Sequence, residues 1–279
     1  MASLAVGCAA PAPRGEALQF ALMGDLPYSE AQARLLDAMI EDMNRAPLAF
    51  AVHVGDITSG RGPCTDEWLA ARKAQFSRIR APFVLLPGDN DWADCHRSGF
   101  DPRERLARWR SLFCAPVALT GFSRQPGRYC EHVRWEAEGA VFVGLNVPGS
   151  NNNLDRDPEE AAERMQAVFA WLAEAEAVAG ERAKLFVLMQ ANPFVAPAAG
   201  APDGYAALRA RLARLAAARP GRVVLVHGDT HTFRDDEPLS GLRRIEVFGA
   251  PHVRWLRARL GAAGLAIEPA PEPRSGAAP

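Results

Sequence analysis

Short runs of aliphatic, β-branched and aromatic residues alternate along this chain with stretches whose apolar positions recur at helical spacing. That alternation predicts an α/β fold in which strands and helices succeed one another around a shared core. The strand-like runs are residues 19–24, 49–55, 82–88, 139–147, 183–190, 222–228 and 243–249, followed by 253–260 and a short 265–269. The last of them read as an antiparallel succession with short connections. Helical patterns cover 29–44, 65–79, 103–112, 157–179 and 203–219. The fourth is the clearest. Asp157 can cap it, Pro158 sits in its first turn, and Glu159 and Glu160 suit the positive end of its dipole. Met165, Val168, Phe169 and Leu172 share one face, and Gly180 ends it.

No internal repeat interrupts the series, so residues 17–268 read as one domain between an N-terminal tail at 1–16 and a disordered C-terminal tail at 269–279. A chain of 279 residues is long enough to bury a substantial core. Its formal net charge of -1 gives no global field to attract nucleic acid or an anionic membrane, which leaves a small phosphorylated substrate open.

Gly7-Cys8, after a run of small residues, is similar to the end of a bacterial lipoprotein signal. A lipid on Cys8 would then be the only route to a membrane, because no apolar run reaches the roughly 18 residues of a span. An incidental cysteine in an unfolded tail is the competing reading. Cys64, Cys95, Cys114 and Cys130 form an even set that suits two disulfides, with Cys64–Cys95 favoured because both follow strand-end motifs. That points to a periplasmic or envelope location, against the alternative of four thiols in the cytoplasm.

The chemistry lies where the apolar runs stop. Asp25 follows one in MGDLPY, Asp56 in HVGDITSG, Asp89 to Asp91 in PGDNDW, Gln190 and Asn192 in MQANPF, and Asp229 and His231 in HGDTHTF. One Gly-Asp pair is ordinary turn punctuation. Several at successive strand ends are a constellation: clustered carboxylates repel unless a cation neutralises them, and glycine lets the backbone turn sharply into such a site.

The order and spacing of these segments resemble the calcineurin-like metallophosphoesterase family over roughly residues 18–250. That family's motifs run Asp-x-His, Gly-Asp, Gly-Asn-His-Asp/Glu, a later His before Pro, and Gly-His-x-His. The resemblance implies a two-layer β-sandwich flanked by helices, in four αββα layers, with one or two divalent cations and a metal-activated water that attacks phosphorus in line. It implies that Asp25 binds the first ion, Asp56 bridges both, His231 completes the first site and Asp89 binds the second.

The departures carry as much information. Pro27 stands where the first motif has histidine, Asp229 replaces the first histidine of the last motif, and Gln190 or Asn192 replaces the histidine before proline. Oxygen donors in place of imidazoles favour Mn²⁺ or Mg²⁺, with Ca²⁺ or Fe also compatible, over zinc. Asn90 occupies the place of the family's acid, and an amide cannot protonate a leaving group. His96 is the preferred substitute, ahead of His53, which alternates inside a strand, and His227. Asp91 fits a supporting place beside the reacting groups. Arg97 and Asn146 are candidate contacts to substrate, with Arg97 also able to pair with Asp94, and Arg234 is expected to pair with Asp236. The run Asn151 to Asn153 offers uncharged donors or is a solvated loop. The expected function is metal-dependent hydrolysis of a phosphomonoester or phosphodiester; the alternative is a catalytically silent relative that serves as a metal-containing binding module.

Overall fold

Alternate residues of each central strand face two different cores, and this decides the layering. The strands are β1 (Leu18–Met23), β2 (Phe50–His53), β3 (Phe83–Leu85), β4 (Ser123–Arg124), β5 (Val133–Ala137) and β6 (Ala140–Gly144). They continue with β7 (Lys184–Leu188), β8 (Val223–His227), β9 (Arg234–Leu239), β10 (Leu242–Glu246), β11 (Leu256–Gly261) and β12 (Gly264–Pro269). Helices α1 (Glu30–Arg45), α2 (Asp66–Phe76), α3 (Pro102–Phe113), α4 (Pro158–Ala179) and α5 (Ala206–Ala218) lie between them. The computed structural model describes residues 17–273, so the N-terminal tail and Cys8 lie outside the described residues.

One sheet has five strands in the order β12-β11-β1-β2-β3, and the other has seven in the order β4-β5-β6-β7-β8-β10-β9. Their facing sides share a core of Phe20, Phe50, Val52, Phe142, Phe186 and Val226, in which Phe142 stacks on Phe186 at 4.4 Å between centroids. On the outer side of the first sheet, Ala21, Met23 and Ala51 pack against Leu36, Met39 and Ile40 of α1. Beyond the second sheet, Val141, Val143 and Val187 meet Val168 and Leu172 of α4 and Leu208 and Leu212 of α5. The result is the expected αββα sandwich, driven by burial of both faces of each sheet.

Helix ends follow from capping chemistry. The side chains of Ser29, Thr65, Asp101 and Asp157 each accept a hydrogen bond from a first-turn N–H of α1 to α4.

The structure also adds strands that the pattern does not predict. β9 is polar and lies at a sheet edge, so no apolar alternation announces it. Because β9 turns back as a hairpin onto β10, β8 and β10 run parallel rather than as antiparallel neighbours. β5 joins β6 through Glu138 and Gly139, both at positive φ, the backbone of a tight hairpin. Within the segment expected to be a C-terminal tail, Ala270 is buried and its N–H donates to Trp255 O at 2.9 Å, and Glu272 accepts from Val253 N at 3.1 Å.

Both disulfides are present, Cys64–Cys95 and Cys114–Cys130, the state proper to an oxidising environment. Among the described residues no helix is long and apolar enough to cross a membrane.

Candidate metal centre

The parallel strands β1, β2 and β3 end on the same edge of their sheet, and β7 and β8 end on the corresponding edge of the other. Asp25, Asp56 and Asp89 follow the first three, Gln190 follows β7, and Asp229 and His231 follow β8. The two sets meet where both carboxylate oxygens of Asp25 accept the Asp229 N–H at 3.1 Å. Asp25, Asp56, Asp229 and His231 all have left-handed backbones, with φ of 53°, 62°, 78° and 58°. Non-glycine residues persist there only when the surroundings over-determine them, and such strain gathers at functional sites. Glycine makes room for two of the carboxylates: a Cβ on Gly88 would lie 1.9 Å from Asp56 Oδ1, and one on Gly228 would lie 1.9 Å from Asp25 Oδ2.

Asp56 is the focus of the cluster. Its Oδ2 accepts from Asn90 Nδ2 at 2.8 Å, from the Tyr28 hydroxyl at 3.0 Å and from Gln190 Nε2 at 3.2 Å, while Oδ1 accepts the Asn90 N–H at 3.0 Å. Asp91 is a buckle behind it. Its carboxylate accepts the N–H groups of Asp56, Ile57 and Gly88 at 3.1, 2.8 and 2.8 Å, fixing the second and third site loops to each other.

The residue that the sequence reading missed is Tyr28. Its hydroxyl lies 3.1 Å from His231 Nε2 as well as 3.0 Å from Asp56, and it accepts from Asn90 Nδ2 at 3.2 Å. His231 Nδ1 lies 2.7 Å from Ala250 O, so that nitrogen carries the proton and Nε2 presents a lone pair. One phenolic proton therefore serves two acceptors. The only signal was position, one residue beyond the Pro27 that stands where the family's histidine would be.

The electrostatics ask for positive charge. Burial holds the Asp25 and Asp56 carboxyls well above the usual carboxylate range, helped by the charge of Asp229 beside Asp25 and of Asp89 beside Asp56. Burial likewise raises Asp89, and Asp229 is pushed up to about 6. Among the described residues no three His, Cys, Asp or Glu side chains already converge as a ligand cage, because the carboxylates are turned onto the polar hydrogens of Asn90, Gln190, Tyr28 and Asp229. The glycine-lined, oxygen-rich donor set fits a hard divalent ion.

A pH dependence follows. A carboxyl whose folded pKa exceeds its unfolded value of about 3.9 binds protons more tightly when folded, so its stabilising contribution is lost as pH rises through the folded value. Asp229 and Asp94, raised mainly by burial to about 6, and Asp91, raised by burial to about 7, place that window between about pH 4 and 7. The buried histidines act in the opposite direction, because His53 and His227 stay neutral in the fold while the unfolded chain protonates them near pH 6.5. The carboxyl contribution is therefore read by difference: between pH 5.5 and 8 the melting temperature of metal-stripped Asp91→Asn is expected to change in a less negative direction than that of the unsubstituted protein, and equal changes in circular dichroism melts of the two would contradict it.

Several expected residues are employed elsewhere. Asn192 uses its side chain on Thr230 and on the Phe194 N–H, and only its backbone N–H reaches Asp229, at 2.9 Å; of the two amides it is Gln190 that sits in the cluster. Asn146 is fully buried and donates to Glu131, which removes it from substrate. His53 and His227 are buried and neutral, lowered by burial to about 4 and about 3, with Nε2 of His53 held by Leu26 O at 2.8 Å. His96 bonds Ala93 O at 2.9 Å and touches none of the carboxylates. Arg97 pairs with Asp94 at 2.5 Å. Arg234 pairs with Glu246 rather than Asp236, whose partner is Arg244, because β9 and β10 bring Glu246 opposite Arg234.

Comparison with known proteins identifies the family and the fold. The family profile of calcineurin-like phosphoesterases matches residues 18–233. A dimetal phosphatase from Danio rerio is similar in structure at a TM-score of 0.59 and 15% identity, over 91% of this chain and 96% of that one. The purple acid phosphatase PPD1 from yellow lupin (Lupinus luteus) seeds aligns at 0.58 and 13% identity, over 90% of this chain and 51% of that one. The phosphopantetheinyl hydrolase of Mycobacterium tuberculosis aligns at 0.50 and 13% identity, over 84% of this chain and 91% of that one. No curated protein matches the sequence.

Proposed function

This chain belongs to the calcineurin-like phosphoesterase family, and from that premise we propose that it hydrolyses a small phosphomonoester or phosphodiester outside the cytoplasm, with one or two divalent cations held by its carboxylate cluster. The observation that carries the proposal is the burial of Asp25, Asp56 and Asp89 at adjacent strand ends, joined to Asp229 across the two sheets. Asp25, Asp56 and His231 would hold the first ion, with the Tyr28 oxygen on the side where Pro27 offers no donor. Asp56, Asp89, Gln190 and Asp229 would hold the second. Mn²⁺ or Mg²⁺ suits this oxygen-rich set, and when bound the cations supply an activated water and neutralise charge building on the phosphoryl oxygens.

The chain's own residues orient and screen. Asn90, already within hydrogen-bond reach of Asp56 and Tyr28, can donate to a phosphoryl oxygen but cannot protonate a leaving group. Esters with good leaving groups are therefore expected to turn over fastest, because losing a general acid costs about 10²–10⁴-fold with poor ones. That absence also favours the second reading, a metal-containing binding module without activity.

Turnover of phenyl phosphate and bis(p-nitrophenyl) phosphate by metal-stripped protein, before and after addition of Mn²⁺ or Mg²⁺, separates the two readings. Metal-dependent release of phenol or nitrophenol is the expected result. Folded protein that stays inactive with every metal would leave the binding module.

A further inference from the structure

Against the metal centre lies a crevice of ≈ 830 Å³, within the ~300–1,000 Å³ typical of small-molecule sites. Such sites are mostly apolar, and this one is not: its only apolar lining side chain is Pro102, and no Phe, Tyr or Trp lines it. Both donors and acceptors line it instead. Arg97 and Arg156 offer guanidinium N–H groups, and Arg156 is exposed and makes no ion pair among the described residues. Asp155 offers acceptors beside the amide of Asn151, and His96, with Nδ1 engaged by Ala93 O, has Nε2 unengaged among the described residues.

The wall nearest the carboxylates is rigid in an unusual way. Ser150, Asn151, Asn152 and Asn153 are consecutive left-handed residues, with φ of 47°, 53°, 58° and 59°. Fully buried Arg164 fixes them by donating to Asn152 Oδ1 at 2.7 Å and Asn152 O at 2.9 Å, and Asn152 N–H is held by the Tyr205 hydroxyl at 3.0 Å. Backbone strain that its surroundings hold in this way occurs at ligand clamps. Ser150 joins the wall to the metal centre, its hydroxyl lying 2.7 Å from Asp89 Oδ2 and 2.9 Å from Asp94 Oδ2.

We propose that this crevice seats the organic part of the phosphoester, and that this part is a polyhydroxylated, non-aromatic group of the sugar-phosphate or polyol-phosphate class. Hydroxyl groups both donate and accept, which matches walls that combine guanidinium, amide, imidazole and carboxylate groups. A nucleobase would find no Phe, Tyr or Trp face to stack on, and an acyl chain would meet Pro102 as the one apolar side chain of the lining. The assignment rests on the hydrolase reading for the direction in which the phosphoryl group points.

The test uses full-length protein loaded with Mg²⁺ and three probes: glucose 6-phosphate, adenosine 5′-monophosphate and phenyl phosphate. Saturation-transfer NMR reads contact, and kcat/KM reads use. The sugar protons of glucose 6-phosphate are expected to receive saturation, and Arg156→Glu, a change at an exposed position, is expected to weaken that transfer. The same change should lower the ratio of glucose 6-phosphate to phenyl phosphate kcat/KM by about tenfold, through loss of a charge-assisted contact. Preferential use of adenosine monophosphate, or a ratio that Arg156→Glu leaves unmoved, would overturn the crevice assignment while leaving hydrolysis intact. Saturation transfer that Arg156→Glu abolishes, in protein that turns over none of the probes, would sustain the crevice and overturn the hydrolase.

Discussion

Replacing Asp56 with asparagine is expected to lower metal-dependent phosphoester hydrolysis by at least about 10³-fold, the equivalent of roughly 4 kcal/mol of transition-state stabilisation. The size follows from where Asp56 sits. Three donors, from Asn90, Tyr28 and Gln190, converge on its Oδ2. An asparagine would remove the negative charge that Asp56 would offer to a bound cation, and it places an amide NH₂ or a single carbonyl where two acceptor oxygens now lie. Metal content of the purified variant and turnover of an aryl phosphate are the measurements, with circular dichroism to confirm folding. Folded Asp56→Asn protein that retains wild-type turnover would remove Asp56 from the reaction.

The second large effect concerns stability. Cys64–Cys95 closes 31 residues of sequence and ties the loop after β2 to the short 3₁₀ turn Ala93–Ser98, just beyond Asp89 to Asp91. Closing a loop of that length stabilises the folded state by about 3–4 kcal/mol in the chain-entropy description. Joint replacement of Cys64 and Cys95 by serine is therefore expected to lower the melting temperature by roughly 10 °C, at ~2–4 °C per kcal/mol. The same change should weaken metal binding, because the loops carrying Asp56 and Asp89 lose a covalent brace that the Asp91 buckle only partly replaces. An unchanged melting temperature would show that hydrogen bonding alone holds these loops.

These expectations draw on parts of the molecule that were unequally visible in the sequence. Asp25, Asp56 and Asp89 were legible because each ends an apolar strand run with a glycine nearby, a local pattern that needs no tertiary knowledge. The αββα layering was not present in the periodicity. It came from the resemblance, since two stacked sheets and one doubly wound sheet produce the same alternation of runs. β9 was illegible because an edge strand of Arg, Asp and Glu residues buries little. Tyr28 escaped because its importance depends on contacts with Asp56, Asn90 and His231, which are distant in sequence. Asn146 misled for the opposite reason: a polar residue at a strand end pointed to substrate, while the fold buries it against Glu131. The asparagine run from Asn151 to Asn153 had a readable property, tolerance of left-handed backbone, but only the fold shows it braced by Arg164 beside the carboxylates.

The most direct test of the central claim, that this carboxylate cluster is a working metal site, is a titration of Mn²⁺ into metal-stripped protein with phenyl phosphate turnover followed at each addition. Saturable binding of one or two equivalents is expected, with turnover rising as the ions bind. Folded protein that binds no Mn²⁺, or that hydrolyses the ester at the same rate without it, would remove the cluster as a working metal site.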